Sequence, residues 1–292
     1  MSDVFSPMSP AARVAQLDAY LDHLHARNGA PDLATGQLPA RERLLAPLLA
    51  GAPAWGGEVP VEALDRLMQP DARPGPNEPA AALWMAIAAQ VNVGEEYGVR
   101  AILARQTTPG PVDATTFIEL EELYHTRMLL DAVRLFGVKV DLPPPRPSLR
   151  FFLHVVAVLP RPVANVLLLA AECNGIALFL GLREKAASLF GVDNEVGRRI
   201  QALLGEILID ELGHVAFLRA RLGPVRLFVS SVLSRLIARG LFEAIPANGK
   251  LFDLDVLVRD VHALSWDRIP ADIRARAFNP WGDGAQQDRP AA

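Results

Sequence analysis

One cysteine, Cys173, in 292 residues excludes an intramolecular disulfide framework, because a bridge needs a second thiol. Charge of one sign is also scarce. The 29 Lys and Arg against 33 Asp and Glu leave a net −4 without a basic cluster, so nucleic acid is not an expected partner. Met1-Ser-Asp-Val-Phe-Ser-Pro7 has neither the basic segment nor the apolar core of a signal peptide, and a cytoplasmic location is expected. Long apolar runs are rare as well. Residues 163–180 are the exception, long enough to raise a membrane span. Glu172-Cys173-Asn174-Gly175 at its centre instead favours a helix buried inside a protein, and a membrane partner is not expected. The last residues, 279–292, are rich in Gly, Gln, Asp and Pro and are expected to be disordered.

What is present is helical and apolar, with a 51% hydrophobic content that can fill one large core. Two Glu-x-x-His pairs stand out: Glu122-Leu123-Tyr124-His125 and Glu211-Leu212-Gly213-His214. Three residues of α-helix turn through roughly 300° and rise about 4.5 Å, so each pair projects from one face. A carboxylate and an imidazole presented together suit iron or manganese. Chance supplies fewer than one such pair in a chain with 6 His and 15 Glu. A single pair is ordinarily a solvated i,i+3 contact; the case here rests on the set.

Two lone carboxylates extend it. Glu172 is the only ionisable carboxylate in residues 163–180, and Glu95 follows the apolar run from Leu83 to Gly94. A carboxylate in such a setting costs several kcal/mol unless it meets a cation or is protonated. Each is followed by glycine where the pairs have histidine: Glu95-x-x-Gly98 and Glu172-x-x-Gly175. This echo, and the apolar phase Trp84, Ala88, Val91, favour Glu95 over Glu96. The order Glu, Glu-x-x-His, Glu, Glu-x-x-His is the ligand set for two metals in a four-helix bundle.

Register agrees with that set. One helix is predicted over 78–105, a second over 113–137 with Asp113 as N-cap, a third over 162–190 and a fourth after Asp193-Asn194. Glu95 and Glu122 lie about 10 and 9 residues from the first turn, Glu172 and Glu211 about 18 and 17 from the last. A crossover through 138–161, stiffened by Leu142-Pro-Pro-Pro-Arg-Pro147, lets the third helix run parallel to the second. All four candidates then share one depth. Glu121 and Asp210 directly precede the paired glutamates, where either could receive the second N–H of the histidine across the site or simply be solvated; Ile207-Leu208-Ile209 before Asp210 favours a buried role for it. His154 is set aside, because a straight helix would put it about 27 Å from Glu172 and prolines intervene. His23, His25 and His262 read as surface or packing residues.

With these residues the chain resembles the ferritin-like di-iron carboxylate superfamily, over roughly residues 79–222. Its members include bacterial multicomponent monooxygenases, ribonucleotide reductase small subunits, acyl desaturases and aldehyde-deformylating oxygenases. The resemblance implies an all-α, ferritin-like four-helix bundle (78–222). An N-terminal helical extension and linker (1–77) precede it, and C-terminal helices (223–278) pack on it. It implies Glu95, Glu122, His125, Glu172, Glu211 and His214 as ligands of two iron ions, with manganese or a mixed pair equally accepted by such donors. O2 would be co-substrate, with electrons from an external donor such as a ferredoxin or reductase. The implied activity is hydroxylation or another oxidation of a small or apolar organic substrate. A ferroxidase without organic substrate and an N-oxygenase are the alternatives, and a homodimer is compatible with all three. Leu129 stands where reductase subunits commonly carry a radical tyrosine, and Ile207 where arylamine N-oxygenases carry a seventh ligand, so both relatives fit less well.

Overall fold

The computed structural model describes residues 4–33, 35–51, 55–69, 72–91, 93–103, 113–140, 150, 154 and 158–282. Among these the protein is all-helical, and a single bridge between Asp32 and Gln37 is the only extended pairing. The helices are α1 (Pro10–Asn28), α2 (Pro39–Leu49), α3 (Val61–Leu67), α4 (Ala80–Gln90), α5 (Val93–Leu103) and α6 (Ala114–Arg134). After them come α7 (Arg161–Phe190), α8 (Glu195–Arg221) and α9 (Pro224–Glu243), then α10 (Asn248–Leu251), α11 (Leu254–His262) and α12 (Ala271–Arg274). The turn expected between the first two predicted helices and the proline-rich crossover at 142–147 lie outside the described residues.

Local chemistry sets the ends of the long helices. Asp113 caps α6 by accepting from the Thr116 amide at 2.9 Å, and Gly137 supplies the positive φ of 76° just beyond its last turn. Gly191, at φ 75°, ends α7, and Asn194 caps α8 through the Gly197 amide at 2.8 Å. The chain turns back over those four residues, so α7 and α8 form an antiparallel hairpin. The helix expected over 78–105 is instead two, α4 and α5. Val91-Asn92-Val93-Gly94 concentrates β-branched residues, Asn and Gly, all poor at propagating a helix.

α8 is the central element, with nearly every side chain from Leu203 to Ala220 buried. It packs on α7, α6, α1, α2 and α12, while α4 lies on α6 and α7 and α5 on α6. Trp84 of α4 is fully buried and donates its indole N–H to the Leu182 carbonyl of α7 at 2.9 Å. Burying a side chain of that size contributes on the order of 3 kcal/mol, and the satisfied N–H avoids the offsetting penalty. Glu121 of α6 lies against His214 of α8, and His125 against Asp210. One sequence rises as the other falls, so α6 and α8 are antiparallel, and α6 therefore runs parallel to α7.

α7 is long and apolar enough to cross a membrane by length and composition, but 67% of its most apolar window is buried inside the protein. The N-terminal helices are less peripheral than the sequence suggested. Arg13 of α1 donates to the Ala220 carbonyl at 2.6 Å, and Arg199 of α8 holds the C-terminal end of α2 through Leu48 and Ala50. The start of the tail is also folded: Trp281 is buried, and the Pro280 carbonyl accepts from buried Arg219 at 2.6 Å. Residues 283–292 lie outside the description.

Candidate metal centre

The apolar centre of α6, α7 and α8 holds a cluster that hydrophobic packing cannot account for. Glu122, Glu172, Glu211 and His214 are all buried, and one ligand atom from each lies within 4.8 Å of all the others. His125, fully buried, joins them: its Nδ1 is 3.1 Å from Glu211 Oε1 and 3.3 Å from Glu122 Oε2. His214 Nδ1 is 2.9 Å from Glu122 Oε1 and 3.8 Å from Glu211 Oε2. The two imidazoles stack with centroids 5.5 Å apart and planes 30° from parallel.

The outer nitrogens are held in a crossed pattern. His125 Nε2 of α6 meets Asp210 Oδ2 of α8 at 3.2 Å, and His214 Nε2 of α8 meets Glu121 Oε2 of α6 at 3.1 Å. Each acid thus serves the histidine of the opposite helix, which fixes the tautomer and turns Nδ1 toward the glutamates. The same triplet, acid-Glu-x-x-His, occurs on both antiparallel helices and gives the cluster a local two-fold character.

The charges are strongly perturbed. Burial alone would lower the His214 pKa, but the close carboxylates of Glu121 and Glu122 outweigh it and carry it up to about 10. His125 is raised well above the usual range, with Glu122 and Asp210 overcoming the same burial penalty. Burial opposes ionisation of Glu122 too, yet the two imidazoles hold it well below an ordinary carboxylate. Asp210 is likewise depressed, because Arg41 and Arg27 outweigh its burial.

These donors fit a metal. His125 Nδ1, His214 Nδ1 and Glu211 Oε2 are buried without a hydrogen bond of acceptable direction among the described residues, although opposing atoms are near. Orphaned polar atoms in a dry interior are costly, and a cation at their common centre would satisfy them together. Carboxylate oxygen with imidazole nitrogen is the donor mix of borderline first-row metals. The protein is therefore helical with a buried carboxylate–histidine cluster able to hold a metal ion.

The remaining sequence candidates fall as follows. Glu95 lies on α5, but its side chain is outside the described residues. Its competitor Glu96 pairs with Arg100 at 2.6 Å, one turn along α5. His154 and His262 are exposed, and His25 packs edge-on to Phe117 at 5.0 Å.

Sequence reasoning missed a layer of cations behind the acids. Arg41 of α2 is 2% exposed and donates to Glu121 Oε1 at 3.0 Å, to Asp210 Oδ1, and to Asn28 Oδ1 at 2.8 Å. Arg27 of α1 reaches Asp210 Oδ1 at 2.9 Å and Glu206 Oε2 at 2.6 Å, and Asn28 donates to Glu121 Oε1 at 2.8 Å. Tyr20, also from α1, buries its ring against Gly213 inside the second motif, where a Cβ would come within 2.7 Å of it. One signal was available: Gln16, Tyr20, Leu24 and Asn28 form a four-residue repeat on α1, and two of them are polar.

No protein-family model, curated protein or solved structure matches the chain at a significant level.

Proposed function

We propose that this chain is a ferritin-like four-helix bundle carrying a di-metal carboxylate centre, and that it acts as a non-haem di-iron oxygenase on a small or apolar organic substrate. One observation carries the reading: two acid-Glu-x-x-His triplets on antiparallel helices, each histidine held by the acid of the other, with Glu172 of α7 against them. A single structural ion pair needs neither the repeat nor the crossing. Two divalent ions would balance the glutamates, with Glu122, His125, Glu172, Glu211 and His214 holding them and Glu95 on α5 the candidate for the sixth position.

When bound, a pair of iron ions supplies the reduction of O2, with electrons from an external donor such as a ferredoxin or reductase. The chain does the rest. Glu121 and Asp210 accept the outer N–H of each histidine and fix both rings. Glu122, Glu172 and Glu211 are themselves at most 8% exposed, so the packed helices around them exclude bulk water from the carboxylates. Exclusion of water strengthens each charge interaction and favours a weakly polar substrate.

The test is direct. Protein purified from iron-supplemented cells is analysed for metal, then supplied with a reductant under an oxygen electrode. Two iron or manganese ions per chain and reductant-dependent O2 uptake are expected. Metal-free protein, or bound iron that never consumes O2, rules the reading out; ferroxidase turnover in a closed multi-subunit shell selects the iron-oxidising alternative instead.

A further inference from the structure

We infer that Arg41, from a helix outside those that carry the ligands, is a positioning residue of the centre: it fixes Glu121 and Asp210 so that they hold the two histidines. The inference rests on the di-metal reading and adds to it a role for the N-terminal extension.

The geometry divides each outer acid between two tasks. Glu121 gives Oε2 to His214 and Oε1 to Arg41; Asp210 gives Oδ2 to His125 and Oδ1 to Arg41. With both oxygens engaged, neither carboxylate can rotate without breaking a charged hydrogen bond. One nitrogen, Nη2 of Arg41, touches both acids, so a single planar group ties the α6 half of the centre to the α8 half. Its Nε is held in turn by Asn28, which also donates to Glu121. Burial at 2% exposure removes competing water, and a lysine's point charge has no fork with which to reproduce the pattern.

The layer is asymmetric, and the asymmetry makes the role testable. Asp210 has a second cation, Arg27, at 2.9 Å. Glu121 has no other cation than Arg41 among the described residues apart from His214 itself, and only the neutral Asn28 besides. Loss of Arg41 should therefore release Glu121, and with it His214, far more than Asp210 and His125. Removing the partner that orients a histidine ligand costs about 10–100-fold in metal affinity.

The experiment titrates the full-length apo chain with Co(II), followed by its visible absorption and by competition with a chelator. Wild type should take up two ions. Arg41→Gln should weaken one site by about 10–100-fold and leave the other within a few-fold, at unchanged helical circular dichroism. Arg41→Lys should fall between the two. Glu121→Gln should weaken the same site, and the Arg41→Gln/Glu121→Gln pair should be no worse than the poorer single variant, because both act through one chain of contacts. Two wild-type affinities in Arg41→Gln, equal weakening of both sites, or an additive double variant would each overturn the inference. Should Arg41→Gln fail to fold, Arg41→Lys decides: wild-type affinities there show that the arginine serves only as a buried charge. A wild-type chain that binds no Co(II), Fe(II) or Mn(II) at all defeats the di-metal reading itself, an outcome distinct from any of these.

Discussion

At the residue scale, the proposed metal centre separates side chains that would hold the metal from those that serve the fold. Glu172 is buried beside Glu122 and Glu211, so three carboxylates crowd one another in the apo protein and a cation would relieve their repulsion. Glu172→Ala and His214→Ala should each strip metal from the protein while helical circular dichroism persists, and apo Glu172→Ala should be at least as stable as apo wild type. His154→Ala, an exposed position, should keep its metal. Metal loss from His154→Ala with retention in His214→Ala would sink the assignment. A second contrast concerns two glycines. A Cβ on Gly175 meets nothing nearer than 3.8 Å, so Gly175→Ala should stabilise the apo protein by about 0.5–1 kcal/mol. On Gly213 it would lie 2.7 Å from the Tyr20 ring, which Phe217 and Phe278 hold in place. Overpacking there costs about 1–3 kcal/mol, more than the helix-propensity gain, so Gly213→Ala should be net destabilising. Urea unfolding of both apo variants checks the opposite signs.

At the element scale, the sequence was legible wherever a local signal existed. Asp113, Gly137, Gly191 and Asn194 mark helix ends through capping and positive φ, and the structure uses each of them. The break between α4 and α5 was less visible, since the low-propensity run at 91–94 follows eleven strongly apolar helical residues that mask it. Arg41 was illegible for a deeper reason. Propensity and periodicity show that α2 has an inner face, but not that an arginine on it will meet two acids 80 and 169 positions away. α9 departs from the usual pattern at several positions. It turns Ser230 and Ser234 inward, where Ser230 donates to the Val166 carbonyl at 3.0 Å, and leaves Phe228 69% and Leu236 72% exposed. Leu227, Ala238 and Phe242 share that inner face with the two serines. Leu236→Gln should therefore change stability by no more than about 0.5 kcal/mol, whereas Ser234→Leu should lose about 1–3 kcal/mol by overpacking against α7. A large loss from Leu236→Gln would place that residue in contact with protein.

At the scale of the whole molecule, a metal held at the centre would be coupled to folding. Its donors come from three helices: Glu122 and His125 from α6, Glu172 from α7, and Glu211 and His214 from α8. The unfolded chain spreads them across some ninety positions and offers a metal no convergent site, so binding should favour the native state almost exclusively. The interior supplies some counter-charge of its own. Arg41 and Arg27 stand behind Glu121, Asp210 and Glu206, and Arg276 reaches Glu206 at 2.5 Å. Glu122 and Glu211 pair with the two histidines, and Glu172 lies beside them. Stability in the absence of metal is thus assigned to the apolar core, the outer ion pairs and the inner histidine–glutamate pairs, and a metal cation would add to it by taking the place of the histidine protons. At free metal about a thousand-fold above Kd, linkage contributes about 4 kcal/mol, which in a chain of this size raises Tm on the order of 10 °C. Differential scanning calorimetry of apo protein, of protein with excess Fe(II) under anaerobic conditions, and of protein returned to chelator should show that rise and its reversal. Glu172→Ala and His214→Ala should show much less of it, since each lacks one donor. An unchanged Tm across all three wild-type samples would leave the cluster as a metal-free knot of buried ion pairs.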